Sequence, residues 1–117
     1  MSQFAQDTAV ERLGENLWRG HVREGWRIGA VPNGGYVLAL AGQALRQALD
    51  HPDPLSVNAF YPAPAVLGPI DCRVDVLRQG RNTTHATVQM LQQGELKVQV
   101  TAAYTELRDG GYLYARR

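Results

Sequence analysis

From Ile70 onward, apolar and polar residues alternate with the two-residue period of strands that are wet on one side. Ile70, Cys72, Val74 and Val76 share one face, and Asp71, Arg73 and Asp75 share the other. Beyond Gln79-Gly80-Arg81-Asn82, Thr84, Ala86, Val88 and Met90 alternate with His85, Thr87 and Gln89. Beyond Gln93-Gly94, Leu96, Val98, Val100, Ala102 and Tyr104 alternate with Lys97, Gln99, Thr101 and Ala103. The segments between these runs are long enough only for tight turns, so the three strands form an antiparallel meander. Ser56 to Tyr61 reads as a further short strand, ended by Pro62-Ala63-Pro64 because proline has no N–H to give to a ladder. Nearer the start, Thr8 to Leu13 and Leu17 to Val22 flank Gly14-Glu15-Asn16, residues that tolerate positive φ, and predict an opening hairpin.

Between the hairpin and the later strands the period changes. Gly35 to Leu49 are good helix formers, with Asn33 placed as N-cap and His51-Pro52 as the stop. Tyr36 to Gly42 leave the helix no polar side, which predicts that the first two turns are buried all round. Gln43, Arg46, Gln47 and Asp50 then form a stripe at helical spacing, so the second half surfaces on one side. The glycine-rich stretch from Arg23 to Gly35 is expected to be a loop leading into this helix. One strong helix and short connections disfavour a parallel, Rossmann-like arrangement. The expected architecture is α+β: one long central helix wrapped by an antiparallel sheet of about five to six strands. It forms a single domain over residues 1–117, with about residues 108–117 as a C-terminal tail or short extra strand.

Charge and composition narrow the partners. A net charge of +1, with acids and bases scattered along the chain, gives no reason to expect nucleic acid as a partner. No apolar run approaches the ~20 residues that span a bilayer, and Met1 to Asp7 lacks the basic and apolar regions of a secretion signal, so a cytoplasmic location is expected. Cys72 is the one cysteine and sits among alternating apolar neighbours, as a small core residue would. No set of His, Cys and carboxylate residues has metal-ligand spacing, and no metal is expected.

The segment from Trp26 to Ala41, which contains Pro32-Asn33-Gly34-Gly35-Tyr36, is followed by Pro54-Leu55-Ser56-Val57-Asn58-Ala59-Phe60-Tyr61 and the meander. Together these resemble the N-terminal half of thioesterase-like proteins related to acyl-CoA thioesterase II, over about residues 4 to 107. The resemblance implies a hotdog fold, an acyl-CoA or other acyl thioester as ligand, no cofactor, and assembly as a homodimer or higher oligomer. In that family two hotdog halves share one chain, and the second half carries the Asp, Thr and Gln that orient the attacking water. Only the first half is matched here.

Thioester hydrolysis places negative charge on the carbonyl oxygen and requires a group that activates water. The first need is met by a helix start, where Gly34, Gly35 and Tyr36 offer backbone donors and the glycines leave room for a substrate. Trp26, Asn33, Phe60 and Tyr61 complete the expected substrate-binding set. The second need is less well provided for. Many single-hotdog thioesterases place Asp or Glu about two turns after the Gly-Gly pair, a position near Gly42, yet no Asp or Glu occurs between Glu24 and Asp50. The candidates that remain are Asn58, Thr83, Thr84 and His85, with Gln43 beside them. His85 is the one that titrates near neutrality, but its place on a polar strand face also fits a solvated histidine. His21, in the opening hairpin, and His51, at the helix end, are weaker.

A hotdog dehydratase would need a histidine in the loop before the helix, and Gly25 to Gly35 contains none. Two functions therefore stand. One is an acyl-CoA thioesterase-like domain acting as a homodimer. The other is a non-catalytic hotdog that serves dimerisation or acyl-ligand binding, with the active residues on another polypeptide or lost. An unrelated lipid- or steroid-binding α+β fold would instead leave an open cavity between helix and sheet.

Overall fold

The computed structural model describes residues 3–28, 31–32 and 34–106, with side chains described for 5–25 and 34–106. The elements are α1 (Gln3–Asp7), β1 (Glu11–Arg12), β2 (Leu17–Val22), a 3-10 turn (Glu24–Trp26), β3 (Arg27–Ile28), β4 (Val31–Pro32), α2 (Gly34–Ala48), β5 (Asp53–Phe60), β6 (Gly68–Gln79), β7 (Thr83–Gln92) and β8 (Glu95–Thr105). Six strands form one sheet in the order β1-β2-β6-β7-β8-β5, and every neighbouring pair is antiparallel. β3 and β4 make a separate two-residue hairpin ahead of α2.

The alternation that defines the strands also builds the core. Ile70, Cys72 and Val74 from β6, Ala86, Val88 and Met90 from β7, and Val98, Val100 and Ala102 from β8 face α2 and are buried. The helix lies over β2, β6 and β7 and directs Tyr36, Val37, Leu40, Ala41, Ala44 and Leu45 into that surface. Burying each larger apolar side chain contributes about 1.5–3 kcal/mol relative to leaving it in water. Trp18 locks the second half of the helix: its indole N–H donates to Gln47 Oε1 at 2.9 Å, and the Gln47 amide reaches the Val10 carbonyl at 3.4 Å. At the other end of the meander, the Gln93-Gly94 turn uses positive φ at both residues (51° and 81°), the two-residue hairpin geometry whose twist matches the flanking strands.

Several local features differ from the pattern-based expectation. The segment Thr8 to Leu13 contributes only Glu11 and Arg12 to the sheet and follows a short helix, α1. Thr8 is fully buried and Val10 packs on the core, so this stretch closes one end of the core rather than extending a ladder. The Gly14-Glu15-Asn16 turn closes without positive φ, through hydrogen bonds from the N–H groups of Leu13 and Gly14 to the Leu17 carbonyl. The stretch ahead of the helix is not wholly irregular, since it holds the 3-10 turn and the β3–β4 hairpin. β5 starts at Asp53 and includes Pro54, which an edge strand accommodates because one side of its backbone has no partner. The tail expected at 108–117 lies outside the described residues.

The first half of α2 is not covered all round by the described residues of one chain: Leu38, Ala39, Gly42 and Gln43 are only half-buried. A helix with its side chains is about 10 Å across, and one curved sheet shields one side of it. β5 does not help, because every residue from Pro54 to Phe60 is exposed.

Candidate functional site

The site begins where α2 begins. Gly34 and Gly35 open the helix at the surface. Tyr61, just past β5, lays its ring over Gly34 and donates its hydroxyl to the Gly34 carbonyl at 3.1 Å. The ring packs against position 34 at contact distance, since a Cβ there would stand 3.5 Å from the Tyr61 hydroxyl, an ordinary van der Waals separation. Burial raises the Tyr61 phenol above its usual range, which keeps it a hydrogen-bond donor. Of the expected substrate-binding residues, Gly34 and Tyr61 are thus brought into contact. Asn33 lies outside the described residues, as does the side chain of Trp26.

The Tyr36 side chain turns into the core. Its ring is buried, and its hydroxyl sits 2.7 Å from the His21 carbonyl and 3.0 Å from the Asp7 carbonyl while accepting the Arg23 N–H at 3.2 Å. A fully enclosed aromatic ring with a polar tip needs such partners. These tie the start of α2 to the end of β2 and to α1, so the Tyr36 side chain serves the fold. Only its backbone stays near the helix start.

Register decides where the remaining candidates point, since residues directly opposite in an antiparallel pair share a face. Asn58 pairs with Thr101 and Phe60 with Gln99, on the face turned away from α2, whereas Val57 and Ala59 pair with Ala102 and Val100 on the helix side. Thr83 and His85 pair with Thr105 and Ala103, also on the outer face. Thr84 faces inward, 1% exposed, with its hydroxyl 2.6 Å from His51 Nδ1, and His51 Nε2 lies 3.0 Å from the Arg81 carbonyl. The four catalytic candidates therefore do not converge. β8 separates Asn58 from the β7 residues by two strand spacings, roughly 10 Å, and Thr84 lies on the opposite face, already engaged by His51.

A groove of about 450 Å³ opens between α2 and the start of β5. Ala39, Gly42, Gln43 and Arg46 form one wall, and Pro52, Asp53, Pro54 and Tyr104 line the rest. Gly42, near the position a helix carboxylate would occupy, borders this groove, and a Cβ there meets no atom within 4 Å. Arg46 and Tyr104 were not singled out from sequence. Arg46 belongs to the polar stripe of the helix, and only the fold reveals that the stripe flanks a groove.

The chain matches the family model of the acyl-CoA thioesterase N-terminal domain over residues 22–105. It belongs to that family. It is 35% identical over 90 residues to the thioesterase-like protein TwmA of Talaromyces wortmannii, covering 73% of this chain and 26% of TwmA. Among solved structures, a thioesterase II candidate from Thermobifida fusca YX superposes with a TM-score of 0.89 at 30% identity, covering 92% of this chain and 40% of that one. A protein of unknown function with a hot dog fold from Alicyclobacillus acidocaldarius gives a TM-score of 0.77 at 28% identity, covering 91% and 40%. The fold is a hotdog: one main helix against a six-stranded antiparallel sheet. The chain spans well under half the length of each of these three proteins.

Proposed function

We propose that this domain binds acyl-CoA thioesters at the start of α2, acts as a homodimer in the cytoplasm, and hydrolyses the bound thioester slowly. The observation that carries the reading is the half-uncovered face of α2 with its groove at Gly42. Gly34 and Gly42 are eight residues apart, about 12 Å along a helix at 1.5 Å per residue. One chain's helix start and its own groove cannot both serve a single carbonyl carbon. Two copies related by a two-fold axis, with their helices antiparallel and their β5 edges together, would set the helix start of one beside the groove of the other. The same arrangement would cover Leu38, Ala39 and the exposed β5.

In such a pair, backbone N–H groups of the first helical turn and the positive end of the helix dipole would stabilise the developing oxyanion. The helix supplies no carboxylate base, since it has none between Glu24 and Asp50, and the carboxylate that lines the groove is Asp53, on the β5 side. Absence of general-base assistance costs about 10²–10⁴ in rate, so turnover is expected well below the ordinary ~10 s⁻¹. That same absence favours the second reading, a hotdog that binds acyl ligands or dimerises while chemistry occurs elsewhere. Acyl-CoA hydrolysis over a panel of chain lengths, run with a solution mass measurement, separates them. Slow turnover by a dimer supports the first reading, and tight binding without turnover selects the second. A monomer that binds no acyl-CoA rejects both.

A further inference from the structure

The sheet face turned away from α2 holds a second cavity, about 420 Å³, under the Val66–Pro69 loop. Gln92 fixes this roof: its carboxamide oxygen accepts the Val66 N–H at 2.9 Å, and its nitrogen donates to the carbonyls of Val66 (2.7 Å) and Pro69 (3.3 Å). On the floor, Arg19 donates to Asp71 through Nε at 2.7 Å and Nη2 at 3.2 Å, so that pair satisfies itself. Lys97 is placed differently. It is the only lysine in the sequence. The β7–β8 register slips beside it, pairing Leu91 with Leu96 and Met90 with Val98, so Lys97 is the extra residue of a bulge, a device that re-aims a side chain.

The Lys97 side chain is only 10% exposed, yet its ammonium has a single hydrogen-bond acceptor among the described residues, Glu95 Oε1 at 2.6 Å, and Glu95 is 63% exposed. An ammonium carries three N–H donors. A buried cation is thus held by a solvated carboxylate at the rim of a cavity. Val66 and Leu67, 53% and 41% exposed, add apolar surface beside it. We propose that this cavity binds the carboxylate of a free aliphatic acid, with Lys97 as anchor and Glu95 as the side chain the ligand displaces. Exchange of one carboxylate for another keeps the charge-assisted hydrogen bond. The chain of the acid then lies on Leu67, Val66 and Leu91, where each methylene adds up to about fourfold in affinity. The site stands across the sheet from α2 and does not depend on the function proposed above.

Because Lys97 is the sole lysine, ¹⁵N-lysine labelling yields one side-chain signal that can be followed by NMR during titration with acetate, butyrate, octanoate or inorganic phosphate at constant ionic strength. Octanoate is expected to shift it saturably and more tightly than butyrate. Glu95→Gln removes the resident competitor and should tighten octanoate binding severalfold. Leu67→Ser should weaken octanoate while leaving acetate unchanged. Both substituted side chains are exposed, and circular dichroism checks the fold of each variant. Identical curves for phosphate and all the carboxylates, no saturable shift in either the wild type or Glu95→Gln, or unaltered octanoate affinity in Glu95→Gln would each overturn the proposal.

Discussion

Gly20 lies where β2 packs against α2, and a Cβ there would stand 3.0 Å from Leu40 Cδ2 and 3.2 Å from Val10 Cγ1. Leu40 is fully buried, so its branch has no solvent to retreat into. Gly20→Ala should therefore destabilise the domain by about 1–3 kcal/mol, as overpacking does, read as a lower urea midpoint at unchanged slope. Cys72 gives a pH signature. Burial, reinforced by the Asp71 charge, pushes its thiol from 9.0 up to about 12. The unfolded chain releases this proton first, so the contribution to stability is complete below pH 9 and is lost as pH rises from 9 to 12, by a few kcal/mol at most. Tyr36, Tyr61 and Tyr104, raised from 10.0 mainly by burial, act in the same direction above pH 10. The urea midpoint should fall between pH 8 and 11, and Cys72→Ala should lessen the slope of that fall. An unchanged slope would mean that Cys72 is not the group responsible.

At the scale of elements, β6, β7 and β8 were legible because each has one buried and one wet face, which writes a period of two into the sequence. The long helix was legible from its lack of breakers, and its observed limits, Gly34–Ala48, differ by one residue at each end from those expected. The opening segment was not legible: Thr8 and Val10 alternate like strand residues but pack end-on against the core, a tertiary use that periodicity does not distinguish. Gly34 and Tyr61, both singled out from sequence, do meet in space where helix start and strand end come together. The site was not legible at Thr84, because alternation assigns a face but does not reveal that His51, 33 residues earlier in the chain, reaches the same spot. Thr84 is thereby a clamp between the end of α2 and the start of β7, and Thr84→Val tests this. The variant should lose about 1 kcal/mol of stability, the net value of a hydrogen bond, while any hydrolysis per folded molecule stays constant. A collapse of hydrolysis in a stable Thr84→Val protein would restore Thr84 to the catalytic set.

At the scale of the whole molecule, the described residues leave the β5 edge of the sheet and one face of α2 uncovered. No described helix is long and apolar enough to cross a membrane, so a bilayer-spanning helix does not account for this surface. Leu55 and Val57 on β5, 51% and 41% exposed, lie on the terminal strand of the sheet, beyond which no other described strand pairs, an arrangement that invites strand pairing. Val57→Arg places a charge on the helix side of that edge without disturbing a buried residue. It should convert a dimer to a monomer in light scattering while leaving the circular dichroism spectrum unchanged. Gly42→Glu then probes the chemistry, since a Cβ at that position meets no atom within 4 Å and the position borders the groove. Restoring a general base there should raise acyl-CoA hydrolysis by up to about 10²–10⁴, and the charge stays affordable only while the groove admits water. If the base acts across the two-fold axis on a thioester held at the partner's helix start, the gain depends on assembly. The Val57→Arg/Gly42→Glu double variant should therefore fall back to the rate of Val57→Arg alone. A gain that persists in the monomeric double variant would place base and thioester on one chain and refute the crossed arrangement.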